Sequence, residues 1–274
     1  KNTDGLQLPI IDSLVFHIND DREEQLDLFR DQKLDVIIGL PTNKLVEVLQ
    51  QNIEDFVADP PKYVSVGIAE LSTSYLSVNQ AKPYFQNKKL RQAISMAIDR
   101  EVIILDDLKS QANVTDGTYG ITPPIKKIIK NYDFEGIKHK SSGYNPELAR
   151  ELLAEAGYPN GDNLPSLRLE YVESMKNQKV ANSILNQLSK NLNINVQIES
   201  VSFDQKNEDE KNGKGDLYLD AWVGDYASPQ TFLANFYGKV VPSNLMDPSP
   251  VNSSRYKNEV FDEHYKTACS TLDP

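Results

Sequence analysis

A single cysteine, Cys269, stands among 274 residues, so no disulfide forms within the chain. Exported proteins also do without disulfides, so this absence does not set the compartment. Histidine is nearly as scarce: His17, His139 and His264 have no ligand spacing, which argues against a zinc or nickel site built by this chain alone. Positive charge is short as well, with 29 basic against 40 acidic residues and a formal net charge of −11. Such a surface repels phosphate backbones and anionic lipid, so nucleic acid is not expected as a partner. No apolar run reaches the ~18 residues that a spanning helix needs. The opening KNTDGLQLPII is neither basic nor apolar enough for a signal peptide. If the chain is exported, its signal is expected to have been removed or to lie upstream. HExxH, GxSxG and Cys/His constellations are missing too, so neither catalysis nor a cofactor is expected.

What is present is an ordinary globular composition, 39% apolar and 25% charged, in a chain long enough for one large domain or two modest ones. Ser13 to Ile18 alternates, Asp20 to Gln32 has helical character, and LDVIIGL (Leu34 to Leu40) looks like a buried strand, an order that predicts a βαβ unit. Pro41-Thr42 opens a short helix through Leu45, Val48 and Leu49. After the break at Asp59-Pro60-Pro61, strand character returns from Leu71 to Asn79, which puts a domain crossing near residue 70. Leu90, Ala93, Ile94, Ala97 and Ile98 make one helical face, with Asp99 placed to cap the next helix. Arg91 and the Asp99-Arg100 pair are accounted for by capping and salt bridging. Residues 113 to 144 lack a period and are expected as a long packed loop. Asn145-Pro146 starts a helix and Gly157 with Pro159 stops it.

A second βαβ unit follows, from Leu167, Leu169 and Tyr171 through the helical stripe Val180, Ile184, Leu188 and Leu192 to Ile194, Val196 and Ile198. The charged run KNEDEKNGKGD (Lys206 to Asp216) reads as a solvated helix end and turn. Leu217 to Trp222 then forms a strand, and AWVGDYASPQTFL begins at its carboxyl end, where open α/β sheets place their ligand crevices. Asp225 lies just past that end. By spacing alone it is a turn-forming residue that caps the helix at Ser228-Pro229, although a ligand-facing carboxylate fits the position as well. Trp222 is open between core and the wall of a cleft.

Three runs, KPYFQNKKLRQAISMAIDREVI (Lys82 to Ile103), GYNPELARELLAEAGYPNG (Gly143 to Gly161) and WVGDYASPQTFL, resemble in order and spacing the signatures of solute-binding proteins of oligopeptide and dipeptide ABC importers. SVSFDQ (Ser200 to Gln205) resembles the stretch where that family carries an aromatic residue. IDSLVFHINDDREEQLDLFRDQKLDVIIGL resembles the part of lobe I before the hinge strand, and NSSRYKNEVFDEHYKTA (Asn252 to Ala268) a later helix of the family.

The resemblance implies an α/β fold of the periplasmic-binding-protein type II clamshell, here a remnant of lobe I over 1–70 and most of lobe II over 71–274. Family members are about twice as long, so the chain is expected to be a fragment that holds ligand weakly or not at all by itself. Of the site, the resemblance implies Asp225 as the partner of a peptide α-amino group, with Trp222, Tyr226, Phe203 and Asn252 lining the cleft. Of function, it implies a monomeric receptor outside the cytoplasmic membrane, anchored there through a missing N-terminal segment, that passes oligopeptides to an ABC permease. A dipeptide, a nickel chelate or an oligosaccharide as cargo, or peptide sensing without import, stays open.

Overall fold

The computed structural model describes residues 5, 7–8, 11–19, 21–39, 47–48, 50–66, 70–108, 120–124, 133, 136 and 143–271. The chain divides into two compact units, Lys1–Ser65 and Val66–Pro274.

In the first unit, helix α1 (Arg22–Arg30) begins at Asp21, whose carboxylate accepts from the backbone N–H groups of Glu23 and Glu24 at 2.9 and 3.1 Å. Leu26 is its buried residue. A second helix, α2 (Ile53–Val57), brings Phe56 to Tyr63, and Phe29 of α1 meets the same ring at 5.4 Å between centroids. The expected βαβ unit is not formed here. Among the described residues, 13–18 and 34–39 carry no strand, and Leu14, Phe16 and Ile18 are exposed. Alternation states which side chains would share a face, but a strand exists only where a neighbour completes its ladder. Of the expected helix after Pro41, Val48 is helical and buried, while Leu45 and Leu49 lie outside the described residues.

The second unit is built on a four-stranded mixed sheet of β1 (Ser72–Val78), β2 (Leu167–Val172), β3 (Val196–Val201) and β4 (Leu217–Val223), ordered β1-β4-β2-β3. Strands β2, β3 and β4 are parallel and β1 is antiparallel to β4. The helical stripe after β2 becomes α5 (Met175–Leu192), capped by Ser174 and stopped by Asn193 in the left-handed conformation. It buries Ala181, Ile184, Leu188 and Leu192 against Leu167, Leu169 and Tyr171 of β2. Two further helices extend this apolar layer: α3 (Lys88–Met96), capped by Asn87, and α4 (Pro146–Glu155), capped by Asn145. Asp99 caps a short turn as expected, while Arg91 and Arg100 satisfy backbone carbonyls, Arg91 those of Phe85 and Gln86 and Arg100 those of Ser95 and Ile98. The loop expected over 113–144 falls mostly outside the described residues; within it Thr122 and Pro123 are buried.

The other sheet face is polar. Arg168, Glu170, Tyr218 and Asp220 project from it, and α6 (Phe203–Lys211) covers them. This corrects the solvated reading of the charged run: Lys206, Asp209, Glu210 and Asp216 are all buried. The run has no apolar stripe because its partners are themselves charged, and burial of each charge is made tolerable by an opposite one.

Candidate functional site

Strand β4 pairs with β1 over its whole length but with β2 only from Leu217 to Leu219. It therefore outruns β2 at its carboxyl end. The backbone N–H of Gly224 donates to Leu71 O at 2.8 Å, which in an antiparallel ladder points the backbone groups of Trp222 and Asp220 toward β1 and those of Ala221 and Val223 the other way. The Ala221 N–H is taken by the Asp220 carboxylate at 2.9 Å. The Val223 N–H and the carbonyls of Ala221 and Val223 thus line a strand edge with no ladder partner among the described residues.

Past this edge the chain turns at Gly224. A Cβ there would sit 2.8 Å from Leu71 Cδ2 and 3.1 Å from Phe232 Cε2, so any larger residue would have to displace the Leu71 side chain for the turn to pass. The short helix α7 (Gln230–Leu233) follows and carries Thr231, which is buried. The Thr231 hydroxyl donates to Asp225 Oδ2 at 2.9 Å and accepts from the Asp225 N–H at 3.2 Å and from Trp222 Nε1 at 3.3 Å. Asp225 is exposed, and its Oδ1 has no hydrogen-bond partner among the described residues. Trp222 is half-buried and Tyr226 is 52% exposed.

Behind the turn, helix α8 (Glu259–Ser270) supplies Tyr265, whose hydroxyl accepts from Gln230 Nε2 at 2.9 Å. Burial pushes the Tyr265 phenol up, and the neighbouring Cys269 and Tyr226 push the same way, so it stays neutral and hydrogen-bonding. Its ring meets Tyr237 at 5.1 Å and stacks on Phe261 at 6.1 Å between centroids, which backs the loop with aromatic surface.

Of the residues singled out in the sequence, the structure brings Trp222, Asp225 and Tyr226 together at one edge. Phe203 is 63% exposed at the start of α6, just past the carboxyl end of β3. Two strand spacings separate β3 from β4, about 10 Å. Asn252 is placed elsewhere in role: it is 0% exposed, its amide donates to the carbonyls of Tyr237 and Tyr256, and its oxygen accepts from Ser254 and the Tyr256 N–H. With both ends so used it organises the 237–256 loop. Asp225 does not cap α7, where the Gln230 N–H is taken by Ser228 Oγ at 3.2 Å; it is tied to that helix through the Thr231 hydroxyl, and its Oδ1 has no partner among the described residues. Thr231, Gly224 and the open backbone edge lie outside the expectations drawn from the sequence. Only the Thr two residues after Ser-Pro gave a local signal, since hydroxyl residues in such turns often bond back to the loop.

Two concavities, of about 390 and 340 Å³, lie by Val102, Asp107, Lys179 and Gln187 and by Gly238, Lys257 and Asp262; neither includes Trp222 or Asp225. The chemistry points instead to the open edge, an oriented carboxylate beside backbone groups that can extend a ladder. Among the described residues no group of His, Cys, Asp and Glu is arranged to hold a metal ion, and no helix is long and apolar enough to cross a membrane.

This is an α/β fold of the periplasmic-binding-protein kind, and comparison with known proteins agrees. An oligopeptide-binding protein of an ABC transporter from Borrelia burgdorferi superposes with a TM-score of 0.64 at 29% identity, over 94% of this chain and 46% of that one. DppA of Helicobacter pylori, solved with the peptide STSA, gives 0.69 at 25% identity over 92% of this chain and 44% of that one. The periplasmic oligopeptide-binding protein OppA of Escherichia coli is 27% identical over 234 residues, 85% of this chain and 39% of that protein. The chain thus spans less than half the length of these relatives. Residues 1–244 match the family described as bacterial extracellular solute-binding proteins, family 5, middle, and the chain belongs to that family. It is a family of binding proteins rather than enzymes.

Proposed function

We propose that the protein is the extracytoplasmic substrate-binding component of an ABC importer and that it captures oligopeptides. The observation that carries this reading is the pairing at the end of β4 of Asp225 Oδ1 with the Val223 N–H and the carbonyls of Ala221 and Val223, groups that have no partner among the described residues. An α-ammonium enclosed in a cleft requires a fixed anion, and a charge-assisted bond is stronger than a neutral one. An extended peptide adds to an open strand edge through main-chain bonds that are blind to its side chains. Trp222 and Tyr226 give apolar walls beside them. Residues 71–274 are most of one lobe and 1–70 part of the other, and peptide closes the two by a hinge motion. The protein acts as a monomer, held at the outer face of the membrane by an anchor, and delivers its peptide to a membrane permease.

Calorimetric titration of the native protein with a library of tri- to pentapeptides, and with the same peptides N-acetylated, tests this. Saturable binding of free-amine peptides, weakened by acetylation and by Asp225→Asn alike, supports the reading. Equal affinity for both sets removes the amine anchor. No binding to either moves the cargo to a dipeptide, a metal chelate or a saccharide.

A further inference from the structure

We infer that Thr231 is a positioning residue for the ligand amine: it fixes which oxygen of Asp225 is offered and ties that carboxylate to the indole of Trp222. The inference rests on the amine-anchor reading above. A threonine hydroxyl has one proton to give and two lone pairs to fill, and all three are used here. The proton goes to Asp225 Oδ2, and the lone pairs receive the N–H of Asp225 and the Nε1–H of Trp222. None is spent on the helix's own carbonyls, the usual outlet for a threonine inside a helix. Thr231 is 3% exposed, so water does not compete for these bonds. The branched side chain is stiff about χ1, so the hydroxyl is held in one place by the helix that bears it.

The consequence is directional. With Oδ2 held by Thr231, an incoming ammonium meets Oδ1, and the carboxylate loses no rotational freedom when it binds. Charge drawn from Asp225 by that ammonium weakens the acceptor at the far end of the Thr231 O–H bond, and the change reaches the indole through the shared oxygen. Trp222, the one tryptophan in the chain, is thereby a built-in reporter of the state of Asp225.

Two measurements test this, with thermal melting to show that each variant is folded. In the ligand-free protein, ¹H–¹⁵N spectra follow the Trp222 indole resonance. Asp225→Asn shifts it in the wild-type background and no longer does so in Thr231→Val, an isostere without the hydroxyl. In the second, the best-bound library peptide is titrated in its free-amine and N-acetyl forms. Thr231→Val lowers the ratio of the two affinities about tenfold, the worth of one hydrogen bond to a charged group, and Thr231→Ser restores it to within about threefold. A wild type that discriminates the two forms beside a Thr231→Val variant with the same ratio overturns the role of Thr231 alone. An indole shift that Asp225→Asn produces equally with and without the hydroxyl overturns it too. A wild type that does not discriminate overturns the amine anchor, and the positioning role falls with it.

Discussion

Lys206 Nζ lies 3.1 Å from Asp220 Oδ1 and 3.1 Å from Glu210 Oε2, so one buried ammonium fastens α6 to strand β4 two residues before Trp222. Tyr75, opposite Asp220 on β1, adds its hydroxyl to the other carboxylate oxygen at 3.4 Å. Burial pulls the Lys206 ammonium down, but Glu210 and Asp220 outweigh it and hold it above the usual lysine range. The same burial, with Asp220 nearby, pushes Glu210 up. The site's strand is thus held by charge on the face that α6 covers, while Leu217 and Leu219 pack into the apolar core on the other.

Removing that ammonium leaves two carboxylates facing each other in a closed space. Lys206→Met is expected to cost about 3–5 kcal/mol in chemical denaturation, the range for breaking one side of a buried ion pair. Adding Asp220→Asn should recover at least about 1 kcal/mol, since the partners then couple in a double-mutant cycle. Additive losses would mean that the three groups do not act together.

Glu170 gives a pH dependence of definite sign. Its side chain is fully buried on β2 and neither oxygen has a hydrogen-bond partner among the described residues, although Arg168 Nη2 is 3.0 Å from Oε1. Burial raises its pKa to about 7, Arg168 and Lys206 oppose the shift, and Asp209 and Glu199 add to it. A folded-state pKa above the unfolded one means that the folded chain binds the extra proton. Stability contributed by Glu170 is therefore complete below its unfolded pKa of 4.5 and is lost as pH rises through about 7. Glu170→Gln should be more stable than wild type at pH 8 by up to about 3 kcal/mol and equal to it near the unfolded pKa. Arg168 keeps Glu199 at 2.7 Å in either case. A constant difference across that pH range would contradict the assignment.

These charged contacts also show where the sequence was and was not legible. The second βαβ unit could be read directly because Leu167, Leu169 and Tyr171 alternate and α5 carries an apolar stripe, both consequences of an apolar partner. Lys206 to Asp216 looked solvated for the complementary reason: periodicity detects burial against apolar atoms and misses burial against opposite charge. Ser13 to Ile18 erred the other way, since alternation implies a face but not the neighbouring strand that a ladder requires. At the site, Asp225 and Trp222 were marked by motif and by their place at a strand's end. Thr231 carries only the faint local signal of a hydroxyl residue after Ser-Pro, because its role lies in the angle at which α7 returns to the turn. Asn252 was misplaced because nothing in its type separates a polar group at a ligand from one spent inside a loop.

Arg255 tests the loop that contains Asn252. It is buried with φ of 56°, and its guanidinium donates to the carbonyls of Leu245, Lys211 and Ser253 at 2.7, 2.7 and 2.5 Å and to that of Glu210 at 3.2 Å. A lysine has a point charge and no planar fork, so it cannot reach carbonyls spread over α6 and the loop. Arg255→Lys should cost about 3 kcal/mol, from several carbonyls left without donors in a closed space. Hydrogen exchange should quicken over 244–256 before the sheet is affected. Uniform loss of protection would show instead that this loop and the sheet open as one unit.

The open edge of β4 allows fold and ligand binding to be separated at a single atom. The ladder pattern turns the Val223 N–H away from β1, toward the side that β2 does not reach. Proline at 223 removes that donor while leaving the β1 ladder intact, the circumstance in which proline is accepted at a sheet edge. Val223→Pro is therefore expected to melt within a few degrees of wild type, a loss of roughly 1 kcal/mol or less. Peptide affinity, by contrast, should fall about tenfold or more, because the main-chain bond it loses exists only with ligand present. N-acetyl peptides should lose affinity by the same factor, since this donor serves the peptide backbone and not its amine. That separates Val223 from Asp225, whose removal penalises free-amine peptides alone. Undiminished affinity in a folded Val223→Pro protein would mean that peptide does not extend β4, and the reading of the edge as a docking strand would have to be given up.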